Sequence, residues 1–353
     1  MNILVLGGTG TMGVALTSLL ENEGHNVFVT SRSNHKNKGL VTYIKGNAKN
    51  LSFLNKILPL KKWDSILDFM MYSTKEFEER YQILLNSTSQ YIFMSSARVY
   101  SNADEYQTEA TPRLLEYIKD EEYLATDEYA LNKAREENLL LNSGSSNYTI
   151  IRPGITYGTY RMQLGVLEKE EWLYRALEGK PIIISGCIAS KYTTMTFNED
   201  SALCIFKLVG NPKAHGEIFN ITTDTYVKWM DVLNIYADSI EKNTGKRPDI
   251  LITKEFVAEK NHGYQVTYDR VYDRKFDNKK IADIMGADFR FSTVYEKLPL
   301  CISEFISRTK FLPLRPIDEA IKDRYTRLFT KLSVFKGWRN KVKYLLYRLY
   351  IKK

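Results

Sequence analysis

The stretch MNILVLGGTGTMG, residues 1–13, decides how the rest of the chain is read. Its apolar run stops at Gly7 and passes straight into glycines at 7, 8, 10 and 13. Without a basic region ahead of it, the run reads as a first β-strand, not as a signal peptide. A glycine-rich turn from a strand into a helix lets backbone N–H groups approach a pyrophosphate, whose charge is favoured at the helix N-terminus. The glycines fit that pattern in two registers, Gly7/Gly10/Gly13 and Gly8/Gly10/Gly13. A glycine pattern alone is weak, but here it follows a predicted strand and opens a predicted helix, which is the context the motif requires.

Outward from this turn, short apolar runs alternate with helical patterns: NILVLG, VALTSLLENEG, NVFVTSR, VTYIKG, WDSILDFMM and QYIFMSS. A helix then carries DEYALNKAREENLLLN, and YTIIRPG reads as a sixth strand. Nearly continuous apolar strands separated by helix-length connections predict a parallel sheet covered on both faces. The fold class is therefore α/β, a doubly wound Rossmann-type domain over residues 1–160. Mixed short strands and helices over 161–308 predict a smaller substrate lobe, some segments of which return to the first domain. A basic amphipathic helical tail is expected over 309–353, marked off by the two prolines of TKFLPLRP.

Composition excludes several classes. Of 353 residues, 44% are hydrophobic and 26% charged, as in an ordinary globular protein. Three scattered cysteines make neither a disulfide framework nor a metal-ligand spacing, so a reducing cytoplasm is the expected setting and no metal is expected. The net charge of +8 is concentrated in the tail, where residues 321–353 carry 11 Lys and Arg against one Asp. The body is close to neutral, so a nucleic-acid partner is not expected from overall charge.

Cofactor choice should be written at the end of the second strand, where a carboxylate accepts the ribose 2′-OH of NAD and a basic residue accommodates the 2′-phosphate of NADP. No Asp or Glu occurs between Glu23 and Asp64, and Ser31 and Arg32 stand at that strand end. NADP is favoured, with NAD as the alternative if Arg32 is only a solvated loop charge. Tyr129 and Lys133, in EYALNKA, lie four apart and hence on one helical face. An ammonium there favours the phenolate and fits Tyr129 for proton transfer. Ser95 and Ser96 end the fifth strand, at the edge where open α/β sheets bind ligands.

In this order and spacing, GGTGTMG, SSARVY, YALNK and IIRPGITYG resemble the extended short-chain dehydrogenase/reductase family, the NAD-dependent epimerase/dehydratase group. The likeness runs over roughly residues 1–308. It implies Tyr129 as acid/base, Lys133 as the group that lowers its pKa and holds the nicotinamide ribose, and Ser96 as the group orienting the reacting oxygen. The implied cofactor set is Gly7, Thr9, Gly10, Thr11, Met12, Gly13, Ser31, Arg32, Asn47 and Lys133. A nucleotide sugar is the implied substrate, met by Ser96 and by Arg161, Lys191 and Arg274, of which Arg274 best resembles the arginine that meets the diphosphate.

The chain also departs from the family pattern. Asn47 stands where the family often has Asp, and Ala97-Arg98 replaces the Asp-Glu pair of the 4,6-dehydratases, which disfavours water elimination. Epimerase and keto-sugar reductase both remain open. The resemblance further implies a homodimer. The tail is read either as a helix on an anionic membrane surface, feeding membrane-bound glycan synthesis, or as one packed on the protein's own body or on a dimer partner. A competing class is a non-catalytic protein of this fold that binds RNA or a protein partner.

Overall fold

A computed structural model describes residues 1–103, 105–308 and 310–351; Thr309, Lys352 and Lys353 of the expected tail lie outside the described residues. The chain divides into two units, the first made of residues 1–156, 194–224 and 275–292 and the second of 157–193, 225–274 and 293–353.

The first unit is built on seven strands: β1 (Asn2–Leu6), β2 (Asn26–Ser31), β3 (Val41–Lys45), β4 (Trp63–Asp68), β5 (Thr88–Met94), β6 (Tyr148–Pro153) and β7 (Glu217–Ile221). They pair in parallel in the order β3-β2-β1-β4-β5-β6-β7. The expected doubly wound sheet is therefore present. Side chains alternate across a strand, so Ile3 and Val5 of β1 enter one core while Leu4 and Leu6 enter the core on the other face. Both faces are buried, which is why these strands are apolar throughout and not alternating.

Two helices matter for the site: α1 (Thr11–Asn22), directly after the glycine turn, and α2 (Tyr129–Leu141), which leads into β6. The last strand, β7, comes from beyond residue 160 and lies beside β6, with Phe219 opposite Ile151. The helix Asn198–Leu208 shares the core of α1 through Ala202, Ile205 and Leu208. Buried Gln90 on β5 joins these parts. Its amide donates to Thr149 Oγ1 (3.0 Å) and the Leu208 carbonyl (2.9 Å), and its carbonyl accepts from Ser65 and the Gly210 N–H. A buried amide is tolerated because all of its hydrogen-bonding groups are satisfied.

In the second unit, Ile182–Ser185 pairs in parallel with Ile250–Thr253, and Trp172 of α3 (Lys169–Leu177) stacks on Tyr236 at 4.2 Å. The C-terminal segment supplies α4 (Pro316–Thr326) and α5 (Trp338–Leu349). Helix α4 is fixed by a buried ionic cluster. Asp323 accepts from Arg175 (2.8 Å), from Lys180 (2.9 Å to each oxygen), from Thr330 (2.7 Å) and from the Tyr344 hydroxyl of α5 (2.7 Å). Burial would raise the Asp323 carboxyl, but these donors hold it below its usual range. Of the two readings of the tail, packing on the protein's own body is thus realised along this side of α4 and α5.

Removing one partner of such a cluster leaves buried charges uncompensated. Asp323→Asn is expected to destabilise the second unit by about 3–5 kcal/mol and to expose the C-terminal helices to limited proteolysis. An unchanged denaturation midpoint would show that the cluster does not anchor the tail.

Candidate active site

Parallel strands bring their C-terminal ends to one edge, and the candidate residues of the first unit gather there. Gly7 follows β1 with φ +73°, a backbone that L side chains rarely adopt, and a Cβ on it would meet Met70 Sδ at 2.7 Å. A Cβ on Gly13 would lie 2.5 Å from the Gly8 carbonyl oxygen, so only glycine lets α1 sit this close to the turn. Gly10 is the N-cap of α1 and differs from both, because a Cβ there meets nothing within 4 Å. Thr9, Gly10 and Thr11 are exposed, Met12 is half-buried, and no acidic side chain occupies the first turn of α1. The Gly7 N–H is taken by Thr30 Oγ1 at 3.0 Å, and the start of α1 has no capping side chain, the arrangement that accepts an anion.

At the end of β2, buried Ser31 takes the Ser33 N–H at 3.2 Å and lies 3.0 Å from His35 Nε2, while Arg32 is exposed. His35 in turn stacks on Tyr43 at 4.8 Å. Sequence reading missed His35. It sits in an aperiodic loop, and the only signal was its position four residues after Ser31. Asn47, after β3, is exposed, and its side chain accepts the Lys49 N–H.

Helix α2 carries four buried polar side chains, Asn132, Lys133, Glu136 and Glu137. Glu137 is the anchor. It accepts from Arg152 of β6 (2.8 and 2.6 Å), from Arg113 (2.9 Å) and from Ser95 Oγ (2.5 Å). Burial opposes its charge, but Arg152, Ser95 and Arg113 hold the carboxyl below its usual range.

Next to Ser95, Ser96 caps the short turn Ala97–Val99 by accepting the Arg98 N–H at 3.2 Å. Tyr129 is the first residue of α2 and half-buried. The Arg98 guanidinium lies over its ring, 5.2 Å from the centroid, held by Glu128 at 2.6 Å. Sequence reading noted Arg98 only as the absence of a dehydratase acid; the structure gives it a cation–π contact with Tyr129.

One turn along, Lys133 is 2% exposed. Its ammonium lies over the Phe93 ring at 4.6 Å and pairs with Glu136 at 2.8 Å. Glu136 is fully buried, and its second oxygen has no partner among the described residues. Burial pushes its carboxyl up to about 7, with Lys133 opposing. Nearby Asp68, at the end of β4, is raised by burial although it accepts from Tyr91 (2.9 Å), Tyr72 (3.1 Å) and the Met70 N–H (2.9 Å).

The substrate candidates Arg161, Lys191 and Arg274 lie in the second unit. Arg274 is buried and bound to Asp269 at 2.7 Å and the Tyr268 carbonyl at 2.9 Å. Its backbone N–H donates to Tyr192, so it adjoins the segment of Lys191. Arg161 is exposed and 3.9 Å from Glu168.

Comparison with known proteins follows the same outline. The family model described as NAD dependent epimerase/dehydratase family matches residues 3–222. The chain is 29% identical over 244 residues to the chloroplast stem-loop binding protein of 41 kDa b of Arabidopsis thaliana, a match covering 64% of this chain and 59% of that protein. Among solved structures, MoeE5 in complex with UDP-glucuronic acid and NAD superposes with a TM-score of 0.66 at 18% identity, over 88% of this chain and 100% of that one. The UDP-glucose 4-epimerase of Thermotoga maritima with UDP-glucose gives 0.63 at 17% identity, over 88% and 100%. At such identities the structures speak to the fold.

Two outcomes test the geometry. Gly13→Ala is expected to cost about 1–3 kcal/mol through overpacking, whereas Gly10→Ala leaves the denaturation midpoint within about 0.5 kcal/mol; equal losses would contradict the close approach at Gly13. For Glu136, the folded chain keeps above pH 4.5 a proton that the unfolded chain releases, so stability falls as pH rises from 4.5 to about 7. Glu136→Gln cannot titrate and should flatten that fall, which is on the order of 3 kcal/mol. Identical slopes of stability against pH in both proteins would count against a raised Glu136.

Proposed function

The chain belongs to the NAD dependent epimerase/dehydratase family, and we propose that it is an NAD(P)-dependent oxidoreductase or epimerase acting on a sugar carbon of a nucleotide sugar. The observation that carries this reading is the convergence, at one edge of the sheet, of the glycine turn, Ser96 and the helix of Tyr129 and Lys133. The residues fit a dinucleotide. Gly13 brings α1 against the turn, open space at Gly10 admits a pyrophosphate, and no acid repels it from the first turn.

Gly7, Thr9, Gly10, Thr11, Met12 and Gly13 would hold the pyrophosphate, Asn47 the adenine side and Lys133 the nicotinamide ribose. A nicotinamide bound there supplies a hydride acceptor or donor. Tyr129 moves the proton at the reacting oxygen, and Ser96 hydrogen-bonds that oxygen. The Arg98 guanidinium over the Tyr129 ring places a cation beside that side chain. Arg274, Arg161 and Lys191 are the candidates for the diphosphate of the sugar nucleotide. With Ala97-Arg98 in place of an acid pair, epimerisation or keto-sugar reduction is favoured over dehydration.

NAD is supported by the neighbour solved with it. The finer proposal is NADP, because the end of β2 offers Ser31, Arg32 and His35 and no carboxylate. The same proposal includes a cytoplasmic homodimer in polysaccharide synthesis, whose basic tail meets the inner face of the membrane.

A second reading, a non-catalytic RNA binder, is favoured by the likeness to a protein named for stem-loop binding. The two separate in one experiment. Tyr129→Phe is expected to lower turnover by roughly 10²–10⁴-fold while leaving cofactor affinity nearly unchanged, and Arg32→Ala to weaken NADPH more than NADH. Wild-type protein that binds a stem-loop RNA but neither dinucleotide would replace the enzyme reading with the RNA reading.

A further inference from the structure

Helix α5 has two distinct faces. One is closed. Tyr344 is fully buried, its hydroxyl donates to Asp323 and accepts the Thr330 N–H at 2.7 Å, and its ring packs on Phe335 at 4.8 Å. The other carries Trp338, Val342, Leu346 and Leu349, which are 69%, 42%, 43% and 57% exposed. At 3.6 residues per turn these four fall within an arc of about 80°. Arg339 and Lys343 border one side of the arc and Lys341 the other, and exposed Lys336 precedes the helix. No Asp or Glu follows Asp323 in the sequence.

We infer that this arc is the surface by which the protein inserts shallowly into an anionic lipid bilayer, with Trp338, Val342, Leu346 and Leu349 in the acyl boundary and the flanking cations on the headgroups. The inference rests on the reading of the tail as a membrane contact and is independent of the catalytic proposal. It also removes the choice between packing on the body and lying on a membrane, because the two use opposite sides of one helix. An apolar stripe bordered by Lys and Arg provides both attractions that hold an interfacial helix.

Charge argues against the other occupants. A second copy pressed on the same face would set Arg339, Lys341 and Lys343 against identical cations with no carboxylate on the helix to pair them. A nucleic acid would use the cations but leave the apolar arc in water.

The chain supplies its own probe. Of its four tryptophans, Trp63, Trp172 and Trp229 are buried and Trp338 is exposed, so an environmental change in fluorescence reports α5. Full-length protein is mixed with phosphatidylglycerol/phosphatidylcholine vesicles or phosphatidylcholine vesicles alone, and co-sedimentation and tryptophan emission are read together. The expected result is sedimentation with the anionic vesicles, a blue shift of emission, and quenching by brominated acyl chains.

Trp338→Phe should still sediment but lose the spectral change. Val342→Asp with Leu346→Asp should weaken binding on the order of tenfold or more, and Arg339→Gln with Lys343→Gln should weaken it by a similar factor. These positions are exposed, so unchanged circular dichroism is expected for each variant. Sedimentation without any spectral change overturns the insertion while leaving an electrostatic tail contact standing. Failure to sediment overturns both, and the cause is then read from self-association or RNA binding that Leu346→Asp abolishes.

Discussion

The arrangement depends on the buried Glu137 carboxylate. It sits on α2, yet its partners come from β6, the end of β5 and the segment of Arg113, so one charge fixes a helix against two strand ends. A buried carboxylate that lost Arg152 would be strongly destabilising, which makes this contact sensitive to geometry. Its consequence is positional. Ser95 is held by Glu137 and Ser96 follows it, while Lys133 lies one turn before Glu137 and Tyr129 one turn before that. Ser96 and the tyrosine–lysine helix are thereby presented at one edge, joined through Ser95 and Glu137.

Around this anchor the site carries an unusual density of buried charge. Lys133 faces Glu136 directly and feels Asp68, and both carboxyls are raised by burial. The ammonium thus stands beside a carboxyl group whose second oxygen has no partner among the described residues, and the Arg98 guanidinium lies over the Tyr129 ring. Arg98, held by Glu128, is the charged neighbour of Tyr129 that the sequence motif does not name.

Much of the fold was legible because it rests on local rules. Six strands and the helices α1 and α2 follow from apolar runs and glycine punctuation, and the glycine turn could be recognised from its context between a strand and a helix. The return of Glu217–Ile221 to the first sheet was not legible as a position, since a short apolar strand carries no label for its partner. In the candidate site, Tyr129, Lys133 and Ser96 stand out in the sequence as spaced motifs. Glu136 and Glu137 belong to no motif, and their burial follows only from the placement of Lys133, Arg113 and Arg152 around them. Arg98 over Tyr129 and His35 beside Ser31 are contacts between loops, which no periodicity encodes.

The central claim is that the glycine turn and Tyr129 serve nicotinamide chemistry on a nucleotide sugar. The most direct measurement is absorbance at the reduced-nicotinamide band, with purified protein, NADPH or NADH, and a panel of 4-keto and 4-hydroxy nucleotide sugars, products being checked for inversion. The account expects either stoichiometric loss of NADPH with one sugar or inversion without net cofactor change. Silence across the panel, together with no binding of either dinucleotide, would contradict it.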